Sequence, residues 1–308
     1  MLPADPRPPS SPKVSVVMRT KNADDVVGQA LAGLFSQRFR DFELIVVDSG
    51  STDRTLDIVR RHECRLIEIP ASSYVPGPVL NMAIAEARGE ILVFQNSDVV
   101  PLTPDALERL VAPFADPAIQ ATFARQLPRP EAHTWVRRDY AQAYPAEGEA
   151  PDWQPYSLPF AAMRKSIWRA RPFWDASWGS EDTEWGYWAR RAGHRVAYVA
   201  DSLVMHSHNY TLRQLYGRRF IEGESDAVMG AGRGGALAVA RAFATSVVRD
   251  VLHHLRARDL GGLAMVLPRR SVYHWAWLRG FRHGASRRRR GDRDVSVGQQ
   301  AVLSRYEA

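Results

Sequence analysis

Three acidic positions in the chain combine chemistry with placement. Asp48 closes the apolar run Phe42-Glu-Leu-Ile-Val-Val47, Asp98 follows Ile91-Leu-Val-Phe94 after a short turn, and Asp182 stands beside Glu181 ahead of Trp185. Carboxylates where the strands of an open α/β sheet run out face the crevice in which such sheets take ligands, so a nucleotide is expected near Asp48 and Asp98. Ser180 is placed to cap a helix running to Ala192, with Gly193 as its stop, which puts Glu181 and Asp182 in the first turn, where the helix dipole favours ionised carboxylates. The loop Met205-His-Ser-His-Asn209 adds two imidazoles at i and i+2, which alone are as consistent with a structural role as with ligation. Together with Asp98 they form a donor set suited to Mn²⁺ or Mg²⁺, ions that also hold a diphosphate.

These groups need a scaffold, and the hydrophobic pattern supplies one. Strands are expected at Val14 to Met18, Phe42 to Val47, Leu66 to Ile69, Ile91 to Phe94 and Arg195 to Val199, with stretches of helical period between the first four. After the first strand, Asp24 is placed to cap a helix whose Val27, Leu31, Leu34 and Phe35 share a face. Ser49 to Asp53 has turn chemistry, Pro78 is expected to open the helix that carries Asn81, and Thr103-Pro104 to start another. The alternation implies an α/β fold with a mostly parallel twisted sheet flanked by helices. From Gln120 the chain becomes aromatic, from Trp135 to Trp188. Each such ring alone is more often core than ligand platform, but as a cluster they suit the apolar faces of sugar rings.

With 308 residues, 45% of them hydrophobic, the chain is globular and too apolar to be disordered. Its one cysteine, Cys64, excludes an internal disulfide and a cysteine zinc cage, which fits a reducing compartment and a cytoplasmic setting. Residues 1–12, rich in proline and without an apolar signal core, read as a flexible lead. The net charge of +7 is unevenly spread: from Ala231 onward there are 15 Arg, no Lys and 5 acids, so the remainder is slightly acidic. A tail of that kind expects an anionic partner, a membrane leaflet or a nucleic acid. Between Gly234 and Gly284, apolar stripes such as Leu237, Phe243, Val248 and Leu252 are broken by Arg241 and Arg249, so no window spans a bilayer. The segment lies on a membrane, packs, or forms a homo-oligomer. Trp275, Trp277 and the run Arg287 to Arg290 fit an anionic surface. The expected organisation is a lead at 1–12, a catalytic domain at 13–225, a helical extension at 226–284 and a basic tail at 285–308.

The motifs Val14-Ser-Val-Val-Met-Arg-Thr-Lys-Asn22, Val46-Val-Asp-Ser-Gly-Ser-Thr-Asp53, Asn81 ahead of Ala87-Arg-Gly-Glu-Ile-Leu-Val-Phe94, Asn96-Ser-Asp98, Trp178-Gly-Ser-Glu-Asp-Thr-Glu-Trp185 and His206-Ser-His208 occur in that order. Together they resemble the family-2 glycosyltransferases of the GT-A fold, over about residues 13 to 225. The second half is most similar to the bacterial rhamnosyltransferase-type branch that builds capsule and O-antigen polysaccharides.

The resemblance implies an inverting transferase using a nucleotide-sugar donor, dTDP-L-rhamnose foremost or a UDP-sugar, with a saccharide or polyprenyl-linked acceptor at the inner leaflet of the plasma membrane. By the same resemblance Thr20 and Asp48 hold the base and ribose, and Asn81 lies on the donor side. Val79 and Leu80 stand where the family often has a nucleotide-binding arginine, leaving Lys21 or Arg19 as substitutes. Asp98 matches the last acid of the Asp-x-Asp metal motif. Asn96 replaces its first acid, and His206 or His208 then compensates as a metal ligand. Asp182 matches the catalytic base and Glu181 orients the acceptor. Arg213, Arg218 and Arg219 are candidates for neutralising the leaving group, though helix-surface roles fit them equally. A second expectation is a degenerate α/β scaffold that binds nucleic acid or another anionic partner through its tail, but the tail contains no recognisable nucleic-acid module. A dinucleotide-dependent dehydrogenase is excluded, since no Gly-x-Gly-x-x-Gly follows the first strand.

Overall fold

The computed structural model describes residues 12–232 and 234–304; most of the proline-rich lead and the last four residues of the basic tail lie outside the described residues. The strands are β1 (Val14–Thr20), β2 (Phe42–Asp48), β3 (Arg65–Glu68), β4 (Ile91–Gln95), β5 (Val100–Pro101), β6 (Ile119–Leu127), β7 (Phe160–Arg164) and β8 (Arg195–Met205). Seven helices lie between or beside them: α1 (Val27–Phe35), α2 (Thr55–Val59), α3 (Pro76–Ala85), α4 (Ala106–Val111), α5 (Thr134–Ala143), α6 (Lys165–Ala170) and α7 (Glu181–Arg191). Four follow the sheet: α8 (Leu212–Met229), α9 (Ala236–Ala257), α10 (Leu260–Arg290) and α11 (Ser296–Leu303).

The strands form one sheet in the order β3-β2-β1-β4-β7-β6-β8-β5. Its first half is parallel, with β1 paired to β2 from Val14↔Phe42 to Thr20↔Asp48, so Thr20 and Asp48 end adjacent strands side by side. At β4 the direction changes: β7 runs antiparallel, with Gln95 opposite Phe160, and brings its own preceding loop to the mouth of the sheet. Alternation along β1 and β2 sends Val16, Met18, Leu44 and Val46 to one core and Val17, Ile45 and Val47 to the other, the two-sided burial of a helix-covered sheet. Much of the aromatic crowd is core, with Tyr156, Phe160, Phe173 and Trp185 all buried.

Local chemistry departs from the sequence reading at helix starts. No side-chain cap opens α1; Asp24 instead pairs with Arg54. The helix carrying Asn81 starts at Pro76 rather than Pro78. Ser180 holds the N-cap position of α7 but makes no capping bond, because it is in the left-handed region at φ 56° and follows Gly179 at φ 134°. That tight turn aims the first turn of α7 into the cleft described below.

The expected boundaries at 225 and 284 fall inside α8 and α10, both continuous. These helices cross closely: a Cβ on Gly280 would stand 1.9 Å from the Phe220 carbonyl oxygen, and one on Gly223 2.1 Å from that of Trp277. The arginine run is likewise structured. Arg287, 1% exposed, donates to buried Glu224 at 2.6 Å and to the Ala176 carbonyl at 3.2 Å. The first part of the expected basic tail is therefore the last turn of α10, where cations suit the helix dipole, and one of its four arginines is an internal strut.

Candidate active site

A cleft of about 810 Å³ opens at the carboxyl end of the sheet between α5, the first turn of α7, α8 and α10. Asn96, Glu181, Asp182, His206 and His208 all line it. Residues more than a hundred positions apart thus share one cavity.

The donor-side residues divide. Asp48 is buried and accepts from the Gly50 and Ser51 amides at 2.9 and 2.8 Å and from the Ser51 hydroxyl at 2.5 Å, so it shapes the turn after β2. Beside it, the buried Thr20 hydroxyl has no hydrogen-bond partner among the described residues, an open polar group at the end of β1. Asn81 is placed elsewhere. Its side chain accepts from the Trp168 indole at 2.9 Å and the Phe173 amide at 3.0 Å and donates to the Phe173 carbonyl at 2.8 Å, pinning the segment after α6 to α3. Neither Thr20, Asp48 nor Asn81 lines the cleft.

Asp98 lies in the turn between β4 and β5, and Arg129 fixes that turn by donating to the Asp98 carbonyl at 2.7 Å. The Asp98 carboxylate is 3.2 Å from Nε2 of His208 and 3.6 Å from Nε2 of His206, and the three donor atoms lie within 4.8 Å of one another. Gln126 sets the tautomer of His206. Its amide nitrogen donates to Ser157 at 2.9 Å, so its oxygen faces Nδ1 of His206 at 2.7 Å, and that nitrogen must carry the proton. The Nε2 of His206 is then a lone pair, buried without a hydrogen-bond partner among the described residues and turned toward a carboxylate. Burial pushes the His206 pKa down to about 4, and that of His208 down as well, so both rings are largely neutral at pH 7. A lone pair facing a carboxylate in a buried site is the arrangement a cation resolves, so the donor set fits a divalent metal. Gln126→Leu removes this orientation and is expected to weaken Mn²⁺ binding about 10- to 100-fold, read by Mn²⁺ electron paramagnetic resonance titration.

Asp182 accepts from the Leu158 amide at 3.2 Å and the Thr183 amide at 2.7 Å, which fixes the carboxylate at the start of α7. Burial, and then the charge of Glu181, raise its pKa above the usual carboxylate value. Glu181 is differently engaged: it pairs with Arg19 at 2.8 Å, and Arg19 also donates to the Pro76 carbonyl at 3.4 Å. Arg19 is thereby placed in the cleft wall as the partner of Glu181. Of the three candidate arginines, Arg213 is turned away, donating to the Ser304 carbonyl. Arg219 pairs with Glu222 and stacks on Tyr273, its guanidinium 3.7 Å from the ring centre. Arg218 and Arg219 both line the cleft, and the positive charge of Arg218 acts on Asp182, His206 and His208.

Gln126 and Arg129 were not picked out by sequence reasoning. Gln126 lies in the run Arg125-Gln-Leu-Pro128 and Arg129 directly follows it, but amides and arginines acquire a role only through what they touch.

An open α/β sheet with an acid-and-histidine turn and a helix-borne carboxylate around one cleft is the architecture of a GT-A glycosyltransferase. The family model Glycosyl transferase family 2 matches residues 15–176, and the chain belongs to that family. Among relatives, the O-antigen chain rhamnosyltransferase RfbN of Salmonella typhimurium is 28% identical over 225 residues, covering 68% of this chain and 71% of that protein. WbaN of Salmonella anatum, also an O-antigen chain rhamnosyltransferase, is 31% identical over 193 residues, covering 59% of this chain and 61% of its own, so the chain spans less than two thirds of that relative. The fold is shared with the mannosyltransferase PcManGT from Pyrobaculum calidifontis, solved with GDP-Man and Mn²⁺, at TM-score 0.62 and 21% identity over 92% of this chain and 89% of that one. It is also shared with residues 1–349 of Staphylococcus aureus TarS, at TM-score 0.55 and 20% identity over 91% and 92%.

Proposed function

We propose that the protein is an inverting transferase that moves a sugar, L-rhamnose by preference, from a nucleoside-diphosphate donor to a saccharide or lipid-linked acceptor in cell-surface polysaccharide synthesis at the inner leaflet. The observation that carries this reading is that Asp182 and the His206 and His208 side chains beside Asp98 face one cleft. Inversion needs a base on the acceptor side and charge neutralisation on the leaving-group side, and these are the two groups present. Kinship with two O-antigen rhamnosyltransferases supports the choice of sugar.

In this mechanism Asp182 takes the proton of the acceptor hydroxyl as it attacks the anomeric carbon, and its raised pKa makes it a stronger base than an exposed carboxylate. Glu181, tied to Arg19, lies next to Asp182 and is assigned to orient the acceptor. Thr20 and Asp48 are assigned to the base and ribose, with the Thr20 hydroxyl available to donate. Asp98, His206 and His208 would hold a divalent ion, which when bound supplies positive charge to the leaving diphosphate. Two imidazoles and one carboxylate favour Mn²⁺ over Mg²⁺, which prefers an oxygen shell. Asn96 keeps its place in the cleft and is assigned a hydrogen bond to the donor sugar, and Arg218, whose charge acts on His206 and His208, is assigned a phosphate contact. Asn81 is reassigned from ligand contact to loop anchorage.

The test is a melting-temperature screen of nucleotide sugars with and without Mn²⁺. One donor, dTDP-L-rhamnose foremost, is expected to raise the melting temperature only when Mn²⁺ is present, since a ligand selective for the folded state stabilises it. No shift with any nucleotide sugar would contradict the proposal.

A further inference from the structure

The helix α9 is inside out for a water-facing helix. Its buried side chains are polar: Ser246, Asp250 and His254, at i, i+4 and i+8. Asp250 binds Arg270 at 2.7 and 3.0 Å and lies 3.0 Å from Arg138, which ties that face to α10 and α5. The opposite face carries Leu237, Val248, Leu252 and Leu255, spaced to share one side, and α10 adds the exposed Leu260 and Leu267. These six side chains are between 46% and 77% exposed. An exposed apolar stripe of this kind, with Arg241 set among its leucines, marks an interaction surface.

The charge around the patch identifies what covers it. Arg241, Arg249, Arg256 and Arg258 are all exposed. The acids between Ala236 and Gly291 are Asp250, fully buried, and Asp259, which is engaged by Thr134 and the Gly262 amide. The rim is thus almost purely cationic. A second copy of the chain meeting this face about a two-fold axis would set arginines against arginines, whereas anionic lipid complements both the apolar stripe and its rim. No helix among the described residues is long and apolar enough to cross a membrane, so a helix on this surface lies in the interface.

We infer that the outer face of the α9–α10 hairpin is a docking surface for an anionic lipid bilayer. This moves the expected attachment from the arginine run, whose Arg287 is buried, to the hairpin. Arg269 and Tyr273 of α10 line the cleft and follow Leu267 within two turns, so docking sets one end of the cleft beside the lipid. The value of that placement rests on the lipid-linked acceptor proposed above; the docking itself does not.

The test is co-sedimentation of the full chain with vesicles of phosphatidylcholine mixed with phosphatidylglycerol, against phosphatidylcholine alone. Wild type is expected to bind the mixed vesicles more tightly, and less so as salt rises. Leu252→Glu combined with Leu255→Glu is expected to lose about a hundredfold in vesicle affinity, with an unchanged melting temperature and an unchanged nucleotide-sugar shift. Arg241→Ser combined with Arg256→Ser is expected to lose most of the preference for phosphatidylglycerol. Three outcomes overturn the inference: no wild-type binding to either vesicle, equal binding by the leucine variant, or a wild-type dimer by light scattering that the leucine variant makes monomeric. The nucleotide-sugar shift, read on the same samples, reports the cleft separately, so sugar transfer can fail while docking stands and the reverse.

Discussion

Asp182→Asn is expected to lower turnover by about 10²- to 10⁴-fold while leaving Mn²⁺-dependent donor binding intact. The amide keeps the size of the side chain and, with its single oxygen, one of the two backbone N–H contacts that place it, the shorter being that from Thr183, but it accepts no proton from an attacking hydroxyl. Donor binding survives because His206 and His208, which line the cleft, come from the loop after β8, and Asp98 beside them comes from the turn after β4, not from α7. Unchanged turnover would remove Asp182 from the role of base.

The pH dependence of the wild type carries the same signature. Transfer requires the ionised form of Asp182, so activity is present above its pKa and falls as pH drops through it. Because burial and Glu181 raise that pKa, the acid limb is expected above the ordinary carboxylate value near 4, and it should vanish from the residual activity of the variant. Stability runs the other way. A folded-state pKa above the unfolded one favours the neutral acid in the folded protein, a contribution present at low pH and lost as pH rises through the folded pKa. The neutral amide removes this term and gives up one backbone hydrogen bond, two effects of opposite sign, so the variant should melt near wild type at pH 7, which separates lost chemistry from lost fold.

Asp98→Ala is expected to reduce Mn²⁺-dependent donor binding and transfer by about 10²- to 10³-fold, equivalent to several kcal/mol of charge stabilisation. Asp98 is the sole anion of the trio, since Asn96 stands at the other motif position. Without it the two neutral imidazoles hold a dication poorly. Isothermal titration of Mn²⁺ and of nucleotide sugar measures the loss, and excess chelator should reproduce it in the wild type. Full wild-type activity in chelator would show that no ion is used.

The first half of the sheet was legible because its signals are local. Runs of buried residues ended where expected, at Thr20, Asp48 and just before Asp98, and Glu181 and Asp182 did open a helix. The second half was less legible. The antiparallel insertion of β7 between β4 and β6 depends on pairings that no local period encodes. Side-chain partners were illegible for the same reason. Asn81 was expected on the donor side, and its side chain bonds Phe173 and Trp168, some ninety residues away; Arg213 donates to the Ser304 carbonyl at the end of α11. Ser180 has the composition of a cap, but the turn with Gly179 puts it in a conformation that prevents capping. In α9 the apolar stripe was seen, yet which face it turned to water was decided by the arginines gathered around Asp250.

The most direct measurement is a crystal structure of the protein with Mn²⁺ and its donor, read by anomalous scattering at the manganese edge. The expected result is one anomalous peak bonded to Asp98, His206 and His208 and touching the diphosphate, with the anomeric carbon facing Asp182 across the space for an acceptor hydroxyl. A peak elsewhere, or a donor whose anomeric carbon points away from Asp182, would contradict the assignment of base and leaving-group sides to this cleft.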